Sequence, residues 1–320
     1  MQNHISGSRN VLLLGGIIVD RYYEVERYPE VGQDTLIRNS YDRVGGCALN
    51  VAVTLKNLGT LPYIVNKFGD DEIGKKIEKY IDILGMPTNC MLKASGRNSG
   101  YCLNILDSTG ERTFLTYKGC EGEFSLENIQ SVLAENFAFA YITGYYLLNL
   151  QTTPQVLELV QQLRQSGCQI MFDPGPLVGQ TDPTQLREML RLSNWLIPNA
   201  HELVIIQNKL EISGEMASWL LKNGVSNIAV KKGVDGVDII TFASNFTVPG
   251  FPVNTKDTTG AGDSFAGGLI HGLVNDYPLR EAASLANACG AFTTLIEGPH
   301  GSFSLDDIRN FIATIKDNNL

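Results

Sequence analysis

Residues 256–268 read KDTTGAGDSFAGG and place a carboxylate at the mouth of a helix that glycines open. Gly260 and Gly262 let the backbone approach a ligand closely, and the run from Ser264 to Ile270 reads as a buried helix. Amides at such a helix start point outward, toward an anion such as a phosphate. Asp263 occupies the same first turn, so one short segment presents both anion-binding amides and an anion.

Other polar residues fall at the ends of apolar runs. Asp20 closes the run of residues 11–19, which reads as a strand. In an open α/β sheet the carboxyl ends of strands line the ligand crevice, where a carboxylate can accept hydrogen bonds from two neighbouring hydroxyls. Gly45 and Gly46 precede a helix with Asn50 in its first turn; the glycines permit close approach and the amide offers both donor and acceptor. Asn199 and Glu202 follow another strand, three residues apart. They suit either a helix capping box or, through the Glu202 carboxylate and water, a hard cation such as Mg²⁺. Lys231, Gly233 and Gly236 make a strand followed by a glycine turn, against which a nucleotide could lie flat.

Two familiar phosphate signatures are absent. Residues 69–76, GDDEIGKK, fit the spacing of a phosphate loop but carry Lys76 where Ser or Thr must reach magnesium, and their acidic residues would repel a triphosphate. They read as a turn opening a surface helix. The first strand lacks G-x-G-x-x-G, which disfavours a nicotinamide dehydrogenase.

These residues need a scaffold that gathers strand ends. From residue 125 onward, strand-like runs at 137–143, 168–172, 195–197 and 227–231 alternate with helical patterns at 154–165 and 185–192, and a further helix starts at 125–128. Such alternation predicts a parallel sheet with helices on both faces. Residues 21–44 and 99–118 break the rhythm with mixed aromatic, β-branched and charged residues, the second around a hairpin turn at 108–111. Between them Ala48, Val51, Ala52, Leu55 and Leu58 mark a core helix stopped by Gly59. The expectation is a large α/β domain (1–20, 45–98 and 119–320) under a small β-sheet lid (21–44 and 99–118), whose Tyr101, Asn104 and Arg112 suit closure over a small ligand. A final helix places Leu305, Ile308, Phe311, Ile312 and Ile315 on one face.

The 320 residues can bury a full core, with 43% hydrophobic and 18% charged residues. A net charge of −9 provides no global field for nucleic acid or an anionic membrane, so an anionic ligand must be held locally. The six cysteines include no C-x-x-C pair and read as reduced, mostly buried thiols. The first apolar run is too short to span a bilayer and lacks a cleavage site, which points to the cytoplasm.

The segment Asp257-Thr258-Thr259-Gly260-Ala261-Gly262-Asp263 resembles, residue for residue, the signature of the ribokinase-like (PfkB) family of carbohydrate and nucleoside kinases. Gly45-Gly46 with Asn50 and Gly59, then Gly69-Asp70-Asp71 with Gly74, resemble that family's N-terminal signature. Asn199-x-x-Glu202 and Gly233-x-x-Gly236 follow in the family's order, so the resemblance runs from about Val11 to Ser302. It implies a three-layer α/β/α domain with a mostly parallel sheet and a β-sheet lid. It also implies Asp263 as the base that takes a proton from a hydroxyl attacking the γ-phosphate of ATP, with Gly260, Ala261 and Gly262 as the anion hole. By the same resemblance Asn199 and Glu202 lie near Mg²⁺ and the phosphates, and Lys231, Gly233, Gly236, Asn287 and Gly290 border the nucleotide. Asp20, Gly45, Gly46, Asn50 and Asn104 hold the acceptor, and Asp257, Thr259, Gly298 and Ser302 surround a monovalent cation such as K⁺. The chain departs from the family pattern at Lys231, where many members carry Thr, and after Asp173-Pro174-Gly175, where Asn and Arg often follow.

The expected function is an ATP- and Mg²⁺-dependent kinase acting on a hydroxyl of a small sugar. The alternatives are a nucleoside of the pseudouridine, inosine or adenosine type as acceptor, and a non-catalytic sugar- or nucleotide-binding protein on the same fold. Exposed strand edges and apolar residues of the lid, at Tyr22-Tyr23 and Phe114-Leu115, lead to the expectation of a homodimer through the lid.

Overall fold

In the computed structural model, residues 9–108, 112–125, 130, 132–133 and 135–318 are described. The large sheet takes its strands from short apolar runs: β1 (Val11–Leu14), β4 (Pro62–Gly69), β5 (Met91–Ala94), β8 (Phe139–Thr143), β9 (Gln169–Asp173), β10 (Trp195–Leu196) and β11 (Asn227–Lys231). They lie in the order β11-β10-β9-β8-β1-β4-β5, each pair parallel. An antiparallel meander of β12 (Val237–Thr241) and β13 (Asn245–Val248) extends the β11 edge.

Strand alternation divides the core into two layers. Val11, Leu13 and Tyr141 pack on one face with α1 (Cys47–Asn57), α2 (Glu72–Leu84), α7 (Ala261–Val274) and α8 (Leu279–Thr293). Leu12, Leu14 and Ile142 pack on the other with α3 (Thr153–Gln165), α4 (Pro183–Leu192), α5 (Ala200–Lys209) and α6 (Met216–Lys222). The three-layer expectation therefore holds. The final helix α9 (Leu305–Asn318) sets Leu305, Ile308, Phe311 and Ile312 against Phe251 and Phe303. Among the described residues no helix is long and apolar enough to cross a membrane. Five of the six cysteines are buried, and Cys47 is half-buried.

The second sheet has the order β3-β2-β6-β7 and is made of β2 (Ile18–Val25), β3 (Ile37–Gly45), β6 (Tyr101–Leu106) and β7 (Arg112–Tyr117). Here the strand reading of residues 11–19 needs correction. β1 stops at Leu14, the chain turns through Gly15-Gly16, and Ile18 already belongs to the second sheet. Asp20 is therefore a lid-strand residue and not the end of a core strand. Apolarity conceals the switch because Ile17 and Val19 are buried on both sides of it. The expected hairpin turn at 108–111 and the helix start at 125–128 lie mostly outside the described residues, as does the side chain of Arg112.

The 69–76 segment opens a surface helix, as expected. Asp71 is the N-cap of α2, accepting from the Gly74 amide at 2.8 Å, and it also accepts from the Ser99 amide at 3.0 Å and the Ser99 hydroxyl at 2.6 Å. One carboxylate thus ties α2 to the segment that enters β6. Asp71→Ala is expected to destabilise the protein by about 1–2 kcal/mol, the usual cost of a lost cap with an additional buried partner. Urea denaturation checks it: an unchanged midpoint would mean that Asp71 carries no tie.

Candidate active site

Two cavities meet at the start of α7. One of about 340 Å³ runs from Gly233 and Gly236 past Phe251, Asn287 and Gly290 to Ala261 and Gly262. The other, about 330 Å³, is walled by Cys47, Tyr141, Tyr145, Asp173, Glu202 and Asp263. Lys231, Gly233 and Gly262 line both, so a ligand in one can touch a ligand in the other across the helix mouth.

The mouth is shaped by a glycine with a defined reason. Gly260 caps α7 at φ 76°, and a Cβ there would stand 1.8 Å from the Pro299 carbonyl oxygen, so neither the conformation nor the space admits a side chain. The Ala261 amide donates to the Thr258 carbonyl at 3.3 Å. The Gly262 and Asp263 amides, in the first turn, have no acceptor inside the helix. Of the expected Gly260-Ala261-Gly262 hole, the Ala261 amide is thus already bonded, and the Gly262 amide with that of Asp263 is left for a ligand.

Asp263 is half-buried, and its Oδ2 accepts from Asn50 Nδ2 at 2.8 Å. Burial pushes its carboxyl up to about 7; the Asn50 donor and the Lys231 ammonium oppose that rise, and the Asp173 charge adds to it. The positive helix end alone would keep the carboxylate low. Desolvation at the cavity floor outweighs the positive helix terminus.

Lys231 holds the other side of the mouth, with Nζ 3.0 Å from Asp173 Oδ2 in a largely buried pair. Burial alone would lower the ammonium's pKa, but the carboxylates of Asp173 and Glu202 outweigh it and raise it. Tyr141 donates to the same Asp173 oxygen at 3.3 Å. Asn199 and Glu202 do form the capping box of α5, each side chain bonding the other's amide at 2.8 Å. Glu202 is nonetheless in the cavity wall, and burial raises its pKa.

On the acceptor side, Asp20 Oδ1 accepts from Asn104 Nδ2 at 3.2 Å, and burial lifts the Asp20 carboxyl to about 6 against that hydrogen bond. Its Oδ2 stands 2.4 Å from where a Gly45 Cβ would be, so Gly45 leaves space for the carboxylate. Gly46, at φ 105°, starts α1 and brings Asn50 to Asp263. Asp20, Gly45, Gly46, Asn50, Asn104 and Asp263 are thus linked in one contiguous region, although of these six only Asp263 is in the wall of the second cavity.

On the nucleotide side, Asn287 Nδ2 is committed to the backbone, donating to the Val248 and Pro249 carbonyls at 3.0 Å each. It shapes the wall from behind. Gly236 packs against the same loop, with its Cβ position 2.2 Å from Val248 O, and Gly290 packs against Ala261 O. Of the four residues expected around a monovalent cation, three are brought together: Asp257 accepts from the amides of Thr259 at 2.9 Å and Gly298 at 3.0 Å. Ser302 is exposed.

Sequence reasoning missed the contributions of Cys47, Tyr141, Thr143, Tyr145 and His300. None has a motif or periodic signal; the fold alone brings them in. Thr143 Oγ1, buried in the cavity wall, has no hydrogen-bond partner, as expected of a site built for a polar ligand. Among the described residues no group of three or more His, Cys, Asp or Glu side chains could hold a metal ion directly, so a divalent cation here would rest on one or two carboxylates with water and phosphate oxygens. Asp173, Glu202 and Asp263 all act on the single ammonium of Lys231, an excess of negative charge that Mg²⁺ would offset.

Residues 8–304 match the model of the pfkB family of carbohydrate kinases, so the chain belongs to that family. It is 27% identical over 304 residues to the ATP-dependent ribose-1-phosphate kinase of Halopiger xanaduensis, covering 95% of this chain and 98% of that one. It is 24% identical to the ribokinase of Haemophilus influenzae, covering 92% and 95%. Among solved structures, the Xylella fastidiosa fructokinase with bound ATP superposes with a TM-score of 0.84 at 20% identity, covering 96% of this chain and 98% of that one. The Burkholderia thailandensis nucleoside kinase in complex with inosine gives 0.81 at 20%, covering 96% and 98%. The fold is ribokinase-like.

Two outcomes follow from the charges. Lys231→Met leaves Asp173 buried without its partner and is expected to cost about 3–5 kcal/mol, most of it recovered when Asp173→Asn is added. Denaturation of the single and double variants checks this; additive losses would mean the pair is not coupled. The Asp263 carboxyl, at about 7 when folded against 3.8 ordinarily, contributes stability fully present below about pH 4 and lost as pH rises through 7. Asp263→Asn should therefore melt above the wild type at pH 8 and alongside it at pH 4, as calorimetry across pH would report.

Proposed function

We propose that this chain transfers the γ-phosphoryl group of ATP, with Mg²⁺, to a hydroxyl of a small sugar. The observation that carries the reading is the meeting of the two cavities at one helix mouth, with the amides of Gly262 and Asp263 and the Lys231 ammonium between them and the Asp263 carboxylate on one side.

ATP lies along Gly233, Gly236, Phe251 and Gly290, its phosphates reaching the mouth. Glu202 would hold Mg²⁺ through water, and the ion would supply charge neutralisation for the phosphates. The acceptor lies against Asp20, Asn104, Gly45, Gly46 and Asn50, presenting one hydroxyl to Asp263. Asp263 takes that proton as the oxygen attacks phosphorus. The amides of Gly262 and Asp263, with Lys231, receive charge building on the transferred group. A base whose pKa lies near 7 is matched to neutral operation. The names of the relatives, ribose-1-phosphate kinase and ribokinase, support a furanose-like acceptor, and the Asp257 loop supports a K⁺ requirement.

Asp263→Asn is expected to lower kcat/KM about 10²- to 10⁴-fold, and wild-type kcat/KM to rise with pH through an acid limb near 7 as the carboxylate forms. Unchanged turnover in the variant would remove Asp263 from the chemistry. An ADP-release screen of sugars, sugar phosphates and nucleosides with Mg²⁺, with and without K⁺, identifies the acceptor. Release with nucleosides alone would shift the reading to a nucleoside kinase, and no acceptor-dependent release across the panel to a binding protein.

We further propose a homodimer through the small sheet, supported by the exposure there of Ile37, Phe114, Leu115 and Tyr117. Light scattering should give twice the 35.0 kDa chain mass, and Phe114→Glu with Leu115→Lys should return it to one chain. A monomeric wild type would end that proposal.

A further inference from the structure

Behind Asp263 runs a chain of hydrogen bonds that the reaction scheme above does not use. Asn50 Nδ2 lies 2.8 Å from Asp263 Oδ2, Asn50 Oδ1 lies 2.9 Å from His300 Nδ1, and His300 Nε2 lies 2.8 Å from the Tyr80 hydroxyl. Four residues from four separate segments thus connect the surface helix α2 to the mouth of α7.

The direction of every bond follows from donor and acceptor chemistry. An ionised carboxylate only accepts, so the Asn50 amide nitrogen must face it, which turns Asn50 Oδ1 toward His300. An amide oxygen also only accepts, so the His300 proton resides on Nδ1. In the neutral ring the Nε2 lone pair then accepts from the Tyr80 hydroxyl. All three hydrogens point toward Asp263. Reversing the Asn50 amide would set an oxygen against a carboxylate and an NH₂ against a ring N–H, two repulsive contacts in a half-buried site.

We propose that His300, backed by Tyr80, is a positioning residue for Asp263: it locks the Asn50 amide so that its nitrogen always donates to Oδ2. His300 touches neither cavity's ligand in this scheme and acts only through Asn50. The lock has two consequences. One carboxylate oxygen, Oδ2, is held in place. The Asn50 donor also favours the ionised base against burial, in the direction that hydrogen bonding to a charged form dictates.

The groups that could imitate such an effect are few. His300 is faced by Tyr80 of α2, Asn50 of α1 and Arg43 of β3, the last paired with Glu297 at 2.8 Å. Asp263 is faced by Cys47, Asn50, Asp173 and Lys231. Only Asn50 belongs to both sets.

The inference rests on Asp263 acting as base, but its first test does not. The Asp263 carboxyl is followed by ¹³C NMR in the free protein as pH is varied, with Asp263→Asn to assign the signal. In His300→Ala, Asn50 is free to reverse, and the midpoint is expected to rise by about half a pH unit or more. His300→Gln, whose amide can donate to Asn50 and accept from Tyr80, should return it to the wild-type value; Tyr80→Phe, a milder change that keeps the ring, should move it partway. In kinetics, His300→Ala should lower kcat about threefold at pH 6, recover toward wild type at pH 8.5, and leave the KM for ATP unchanged. A His300→Ala carboxyl that titrates on the wild-type curve overturns the proposal, as does a rate loss that is equal at both pH values. Full turnover by Asp263→Asn would instead overturn the base reading, while the NMR titration would still decide the coupling.

Discussion

The site depends on how closely three helices approach one another. Thr54 of α1 and Thr293 of α8 both donate to the Ser264 hydroxyl of α7, at 3.1 and 2.8 Å, in a fully buried node. Small residues around it bring the backbones together. A Cβ at Gly267 would lie 2.7 Å from the Thr54 side chain, one at Gly268 2.9 Å from Ala286, and one at Gly272 2.6 Å from Ala282. Ser264 is the residue after Asp263, and Thr54 lies one turn beyond Asn50 on α1. The hydroxyl node therefore fixes the Asn50 to Asp263 distance one turn away from the chemistry. A helix packed through larger residues, at the usual interaxial separation of about 8–10 Å, would carry the carboxylate away from its donor.

The same close packing sets the electrostatics. Excluding water from the α7 mouth strengthens whatever the amides of Gly262 and Asp263 can do for an anion, because a lower local dielectric magnifies each dipole. It also raises the cost of every uncompensated carboxylate, which is why Asp20, Glu202 and Asp263 all rise above their ordinary values. Lys231 answers part of that cost through Asp173. The remainder is left for ligands that carry positive charge or donate hydrogen bonds, namely a metal ion and an acceptor rich in hydroxyls. Affinity for such ligands and discomfort in their absence have one physical origin.

What could be read in the sequence was whatever has a local cause. The DTTGAGD stretch gave away its helix mouth because glycine at a left-handed position and small residues after it have few other uses. The helix of residues 47–57 was visible in its apolar spacing, and the capping pair Asn199 and Glu202 in its three-residue offset. The switch of Asp20 into the second sheet was not visible, since Ile17, Ile18 and Val19 look alike whichever sheet they join. The commitment of Asn287 to the 248–249 backbone was equally hidden, because an amide's partner depends on a loop that passes only in three dimensions. His300 and Tyr80 are 220 positions apart, and no periodicity connects them. The elevated Asp263 carboxyl could not be inferred either: local sequence announces the helix dipole that lowers it and says nothing of the burial that raises it.

The relocation of Asp20 changes how the site must work. The base and the anion-binding amides are carried by the large sheet's helices, whereas Asp20 and Asn104 belong to β2 and β6 of the small sheet. The joint between them is short: β3 ends at Gly45, Gly46 begins α1, and Asn50 lies in that helix's first turn. On the proposed reading, an acceptor bound to Asp20 would be held by one sheet and deprotonated from the other. Any rotation of the small sheet about the Gly45-Gly46 joint changes the distance between the bound hydroxyl and Asp263 while leaving the Asn50 to Asp263 contact untouched. On the proposed reading, recognition of the acceptor would thus depend on where the small sheet sits, while the Asn50 to Asp263 contact would not.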